Sequence, residues 1–211
     1  MLVKICGITN FEDAQAAAKA GADYLGFIIN YPHSPRSINY LDAGNIIFNI
    51  RQKYKDIKAV GVFVDQSEKF VRKIGYECQL DVLQFHGQES PEYCQKFIKE
   101  FMVWKTIIIK SENDLKLIKK YLPAEASAKE GKNKVDKILL DSGQGSGRTI
   151  DLELLKKAGK IDVLAGGIGL GNIKKIIKLK PGIIDVNSKI ELKPGKKDIK
   201  KLKKIISIIK T

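Results

Sequence analysis

From one end of the chain to the other, a single pattern recurs eight times: a short, nearly unbroken apolar run, a turn bearing Gly, Asp or Ser, and a helical segment. The apolar runs fall at 2–6, 24–29, 59–64, 82–85, 103–109, 138–140, 163–165 and 183–186. Runs this short and continuous suit strands buried on both faces of a parallel sheet. Helical patterning covers about 11–20, 40–54, 67–77, 90–100, 111–120, 151–158, 170–179 and 196–209. Asn10, Ser67, Ser90-Pro91, Ser111 and Asp151 stand where helices start, Gly21 where the first stops, and Pro123 just beyond the fifth. Strict alternation of strand and helix selects an α/β architecture. Eight units are the count of a closed (β/α)8 TIM barrel, expected to occupy 1–211 as a single domain. An open doubly wound sheet is the other solution, but no strand leads into a complete dinucleotide-binding glycine fingerprint. The Lys-, Glu- and Ala-rich stretch 124–134 reads as a loop before the sixth strand.

Composition narrows the function. At 44% hydrophobic residues the chain is too apolar for intrinsic disorder. Cys6, Cys78 and Cys94 are odd in number, widely spaced and contain no Cys-x-x-Cys pair, which disfavours a disulfide framework or a thiol redox protein. The first twenty residues carry Lys4, Glu12, Asp13 and Lys19 and lack an apolar core, so no signal peptide is expected. No uncharged apolar run approaches the roughly 18 residues of a membrane span. The expectation is a cytoplasmic chain without a membrane partner.

The formal net charge is +14, and it is unevenly spread. The last 52 residues hold 14 Lys against Asp162, Asp185, Glu191 and Asp198, but no Arg, Phe, Tyr or Trp. A nucleic-acid surface would interleave such residues with its charge, so no nucleic-acid partner is expected. The lysines of 196–204 instead alternate with Ile199, Leu202, Ile205, Ile206 and Ile209, the pattern of a core-packed helix with a solvated basic face. Such a surface also steers small anionic molecules inward.

In a (β/α)8 barrel the chemistry sits at the C-terminal ends of the strands and in the loops that follow. Here those positions hold Cys6 after the first strand, Arg36 and His33 after the second, and His86 after the fourth. Asp141 ends the sixth, Gly166-Gly167 follow the seventh, and Asp185 to Lys189 close the eighth. Alone, a cysteine ending an apolar strand is more often an inert buried hydrophobe, and an aspartate there a helix cap. Two histidines in separate loops, with no carboxylate cluster beside them, do not suggest a metal site.

Taken together, Lys4-Ile5-Cys6-Gly7-Ile8-Thr9, Ser34-Pro35-Arg36, Val60-Gly61-Val62-Phe63-Val64, Gln84-Phe85-His86-Gly87, Leu140-Asp141-Ser142 and Leu164-Ala165-Gly166-Gly167-Ile168 resemble the phosphoribosylanthranilate isomerase family of tryptophan biosynthesis. The resemblance implies the same barrel and an Amadori rearrangement of a phosphorylated small molecule, with no cofactor because proton transfers complete it. It places the general base on Cys6 and the acid on Asp141, which must carry a proton to act. A cation near Cys6 would help its thiol ionise, and Lys4 lies two residues away, deeper in the barrel. Arg36 falls to the anthranilate carboxylate, since a guanidinium matches a carboxylate bidentately. His86 falls to the pocket wall beside the anthranilate, Asp185 to the sugar hydroxyls, and Gly166, Gly167, Ser188 and Lys189 to the phosphate. His33 receives no role, and Cys78 and Cys94 stay structural. Relatives include monomers and homodimers, so either state is expected. Another sugar-phosphate barrel isomerase is the alternative, but those with paired aspartates lack a cysteine at the first strand end.

The eighth loop departs from the family. The usual Asp-Val-Ser-Ser-Gly-Val-Glu appears as Asp185-Val186-Asn187-Ser188-Lys189-Ile190-Glu191. Lys in place of Gly suggests a strained backbone, costing about 1 kcal/mol if φ is positive, offset by an ammonium on the phosphate.

Overall fold

The computed structural model describes residues 1–122, 134–141, 143 and 151–211. Pro123, Ser142 and the stretch 124–133, all used above, lie outside the described residues. The first elements are β1 (Leu2–Ile5), α1 (Phe11–Ala20), β2 (Tyr24–Ile29), β3 (Ser37–Ile38), α2 (Tyr40–Arg51), β4 (Lys58–Phe63) and α3 (Glu68–Glu77). Next come β5 (Val82–Phe85), α4 (Pro91–Gln95), β6 (Met102–Ile108), α5 (Glu112–Leu115), α6 (Ile118–Tyr121) and β7 (Lys137–Asp141). The last are α7 (Leu152–Lys157), β8 (Val163–Leu164), α8 (Ile173–Ile177), β9 (Ile183–Val186), β10 (Glu191–Lys193), β11 (Lys196–Lys197) and α9 (Ile199–Lys210).

Eight strands close into a ring, β1-β2-β4-β5-β6-β7-β8-β9 and back to β1, every pair parallel. Helices lie between them, so the architecture is the (β/α)8 barrel. Two-residue β3 adds to the upper end of β2, pairing Ile28 with Ser37. Alternation along the strands sends one set of side chains outward and the other into the lumen. Outward residues such as Ile5, Phe27, Phe63 and Leu164 join the helix-facing core. Inward, Tyr24, Val60, Val82, Trp104, Leu139, Val163 and Ile183 form an apolar plug. Two residues further along β5, β6 and β9 the lumen turns polar, with Gln84, Thr106 and Asp185 buried beside Lys4 of β1.

Local signals explain the helix starts. Asn10 Oδ1 accepts from the Asp13 backbone N–H at 2.9 Å, and Asp151 Oδ1 accepts from that of Glu153 at 2.8 Å. Ser90 caps α4 ahead of Pro91. Gly21 ends α1 with φ +97°, a left-handed conformation that glycine adopts without penalty.

Several elements differ from the periodicity. The fourth helix ends at Gln95, the fifth breaks at Lys116-Leu117, and the segment 170–179 is helical only over α8. The terminal helix starts at Ile199 rather than 196, because Asp198 Oδ1 accepts from the N–H groups of Lys200 and Lys201. Leu202, Ile205, Ile206 and Ile209 are buried, each worth roughly 1.5–3 kcal/mol, with Lys200, Lys201, Lys203 and Lys204 exposed. Lys196 and Lys197 instead pair with β10 as a small antiparallel hairpin. Lys197 is 0% exposed, so the basic face reads wrongly at this residue.

Candidate active site

A cavity of about 400 Å³ opens at the C-terminal ends of the strands. Cys6, Arg36, His86, Asp141, Gly166, Gly167, Asp185 and Ser188 all line it. Lys189 does not. It is exposed in a 3-10 turn at Ser188–Ile190, and its φ is not positive, so the expected strain is absent and with it the reason for an offsetting phosphate contact. His33, given no role, also reaches the cavity wall. Cys78 and Cys94 are buried away from it, with burial pushing their thiols up to about 11 and about 12.

The floor of the cavity is built on adjacent strands. Lys4 of β1 and Asp185 of β9 are register partners, and Lys4 Nζ donates to Asp185 Oδ2 at 2.8 Å. Burial works against the Lys4 charge, but Asp185 and the Cys6 thiol outweigh it and hold the ammonium above its ordinary value. Burial also raises the Cys6 thiol, with Lys4 pulling the other way, and raises Asp185 against the same ammonium. Gly26 on neighbouring β2 makes the arrangement possible. A β-carbon there would stand 2.9 Å from Cys6 Sγ and 3.0 Å from Lys4 Nζ, so one of these groups would have to shift to admit it.

Asp185 Oδ1 is buried with no hydrogen-bond partner among the described residues. So is Gln84 Oε1, whose Nε2 donates to Thr106 Oγ1 at 3.2 Å and lies 3.4 Å from His86 Nδ1. A buried acceptor left unpaired costs about 1–3 kcal/mol, so two of them facing one cavity are places for donors on a ligand. His86 Nε2 stands 3.9 Å from Asp141 Oδ2. Burial holds the imidazole below its ordinary value, opposed by Asp141. Asp141 Oδ1 also accepts the Gly143 N–H at 2.9 Å.

On the opposite wall, Arg36 Nε and Nη2 donate to the two carboxylate oxygens of Glu191 at 3.0 and 2.7 Å. Lys197 Nζ donates to Glu191 Oε1 at 2.9 Å and to Asn187 Oδ1 at 2.8 Å. Burial disfavours the Glu191 charge, yet Arg36 and Lys197 hold its carboxyl below the ordinary value. Asn187 thus has a local explanation: its amide oxygen is the second partner of a buried ammonium. Gly166 and Gly167 have φ +96° and +58°, where a side chain costs about 1 kcal/mol, and Asn172 Nδ2 braces the turn through the Gly167 carbonyl at 3.0 Å. Sequence reading missed Gln84, Asn172, Glu191 and Lys197 as parts of the site. Only Gln84 left a signal, as the inward-facing position two residues before His86.

Barrel, strand-end cavity and convergent titratable groups define a class, the (β/α)8-barrel enzymes that work by acid–base chemistry. A family model described as N-(5'phosphoribosyl)anthranilate (PRA) isomerase matches residues 3–208. An N-(5'-phosphoribosyl)anthranilate isomerase from Sulfurihydrogenibium sp. (strain YO3AOP1) is 38% identical, covering 100% of this chain and 99% of that protein. The chain therefore belongs to the N-(5'-phosphoribosyl)anthranilate isomerase family. Among solved structures, the phosphoribosyl anthranilate isomerase of Thermotoga maritima superposes with a TM-score of 0.86 at 33% identity, covering 100% and 99% of the two chains. A second, with TM-score 0.82 and 32% identity over 100% and 98%, is an isomerase in complex with reduced 1-(o-carboxyphenylamino)-1-deoxyribulose 5-phosphate.

Proposed function

We propose that this chain catalyses the Amadori rearrangement of N-(5'-phosphoribosyl)anthranilate to 1-(2-carboxyphenylamino)-1-deoxyribulose 5-phosphate, a step of tryptophan biosynthesis. The observation that carries the reading is the placement of Cys6 and Asp141 at the ends of β1 and β7, on one cavity, in a chain of this family.

Asp141 protonates the furanose ring oxygen as the bond from that oxygen to C1 breaks, and the anthranilate nitrogen supplies the electron pair that forms the C1 iminium. The Cys6 thiolate then removes the proton on C2, giving an enolamine that tautomerises to the ketone. Lys4 supports this step, because a buried ammonium beside the thiol favours its ionised form. Asp185 Oδ1 and Gln84 Oε1, which have no hydrogen-bond partner among the described residues, are acceptors for sugar hydroxyls. Arg36 takes the anthranilate carboxylate, with His86 lining the same pocket. Gly166, Gly167 and Ser188 take the phosphate. Distributing the two anions on opposite walls holds the sugar carbon between acid and base.

Loss of anthranilate fluorescence on mixing the protein with freshly generated N-(5'-phosphoribosyl)anthranilate tests this directly. Turnover should fall by about 10²–10⁴-fold in Cys6→Ala and in Asp141→Ala. A parent without turnover, or variants that keep it, would remove the assignment.

A further inference from the structure

Arg36 does not stand free in the cavity wall. Glu191 accepts from its Nε and Nη2 and is itself only 4% exposed at the side chain. Behind it lies Lys197, 0% exposed, whose ammonium is shared between Glu191 and Asn187. The backbone N–H of Gly195, in the same hairpin, also points at Glu191 Oε1, at 3.4 Å. Gly7, at the end of β1, has no β-carbon to keep this group away: one would meet Asn187 Oδ1 at 2.7 Å and Arg36 Cδ at 3.0 Å. Arg36, Glu191, Lys197 and Asn187 are therefore one packed ion network reaching from the loop after β2 to the β10–β11 hairpin.

We infer that Glu191, backed by Lys197, is a positioning residue that sets this enzyme's discrimination for a carboxylated aglycone, by fixing which edge of the Arg36 guanidinium faces the substrate. The inference rests on the proposed role of Arg36. A guanidinium has five N–H donors in a planar fork. Glu191 occupies the Nε–Nη2 edge, which leaves the edge bearing Nη1 for a second carboxylate in the same plane. An arginine without that anchor has the same charge but several rotamers, and only the fraction facing the cavity can bind the carboxylate, which weakens substrate binding in proportion. Asn187 ties the same network to the loop holding Ser188, so the distance between the carboxylate reader and the phosphate site is also set by it.

The test compares two substrates made by condensing ribose 5-phosphate with anthranilate or with aniline, which lacks the carboxylate. The parent should prefer the anthranilate compound in kcat/KM. Glu191→Gln should lower kcat/KM for that compound roughly a hundredfold, mostly through KM, while the aniline compound changes far less, so the preference collapses. Glu191→Gln with Lys197→Met removes both charges and leaves no buried ammonium unpaired; it serves if the single variant does not fold, with the same expected collapse. Glu191→Asp keeps the charge and should recover part of the preference. A merely structural role for Glu191 would lower both substrates equally, and that result, or an unchanged preference, would overturn the inference while leaving Arg36 in place. A parent that turns over both compounds equally would remove the Arg36 role and this inference with it, and a parent that turns over neither would count against the isomerase reading itself.

Discussion

Two buried lysine–carboxylate pairs lie on opposite faces of the same barrel wall, and they are finished differently. Lys105 Nζ, outside the lumen, donates to Glu89 Oε2 at 2.8 Å and to the Gly87 carbonyl at 2.7 Å. Glu89 also accepts the backbone N–H groups of Asp65 and Gly87, both at 2.9 Å, so each carboxylate oxygen is used. That pair ties the loops after β4 and β5 together. Lys4–Asp185, inside the lumen, has the same 2.8 Å ion pair but leaves Asp185 Oδ1 without a partner among the described residues and places a thiol beside the ammonium. A saturated pair is a structural joint, and an unsaturated one facing a cavity is prepared for a ligand.

Breaking the saturated pair should have the largest effect. Lys105→Met strands Glu89 in the core and is expected to cost roughly 3–5 kcal/mol of stability, read as a lowered denaturation midpoint, with kcat/KM of the surviving folded enzyme little changed. Asp185→Asn should do the reverse: turnover falls about a hundredfold, close to 2.7 kcal/mol, because the sugar hydroxyls lose a charged acceptor, with a smaller change in midpoint. If both variants lost stability and activity in equal proportion, the distinction between the pairs would fail.

The pH dependence sharpens the same contrast. Burial holds the Cys6 thiol above its ordinary value with Lys4 opposing, so the alkaline rise of kcat/KM should move further alkaline in Lys4→Met and stay in place in Lys105→Met. The smallest effect concerns His86, which burial keeps below the ordinary imidazole value. Below about pH 6.5 the unfolded chain binds a proton there that the folded chain does not, so this contribution to stability is present above that pH and is lost as pH falls toward the folded value. Melting of His86→Gln should therefore depend less on pH than the parent's between about 7 and 5.

Strand positions were legible because a parallel strand buried on both faces is nearly continuously apolar, and because Cys6 and Asp185 stand within such runs and Asp141 directly after one. Their common cavity could be expected from topology alone. The helices were less legible. Lys196 to Lys210 keeps a helical alternation of Lys and Ile, yet Asp198 interrupts it, since its side chain caps the backbone N–H groups that begin α9. Lys197 therefore belongs to the hairpin before the helix and not to its basic face. Partnerships were illegible for a different reason. Arg36 and Glu191 are 155 residues apart and Lys4 and Asp185 181, and nothing local at either end encodes the pairing. Lys189 shows the converse: a substitution that looks strained against a family pattern is relaxed once the turn is a 3-10 turn with its φ in the ordinary range.

The apolar plug beneath the site has an optical consequence. Trp104 is the one tryptophan of the sequence, 0% exposed, edge-on to Tyr24 at 5.2 Å, two residues below Thr106 on β6 and the register partner of Gln84 on β5. Its indole N–H has no partner among the described residues and its side chain is fully buried, so its emission samples the apolar plug beneath the cavity. With selective excitation at the red edge of the indole band, where tyrosine does not absorb, intrinsic fluorescence comes from a single emitter at the barrel's centre. A red shift reports water entering the lumen, and energy transfer to a bound anthranilate reports occupancy above it, so loss of fold and loss of ligand can be told apart in one cuvette without a label.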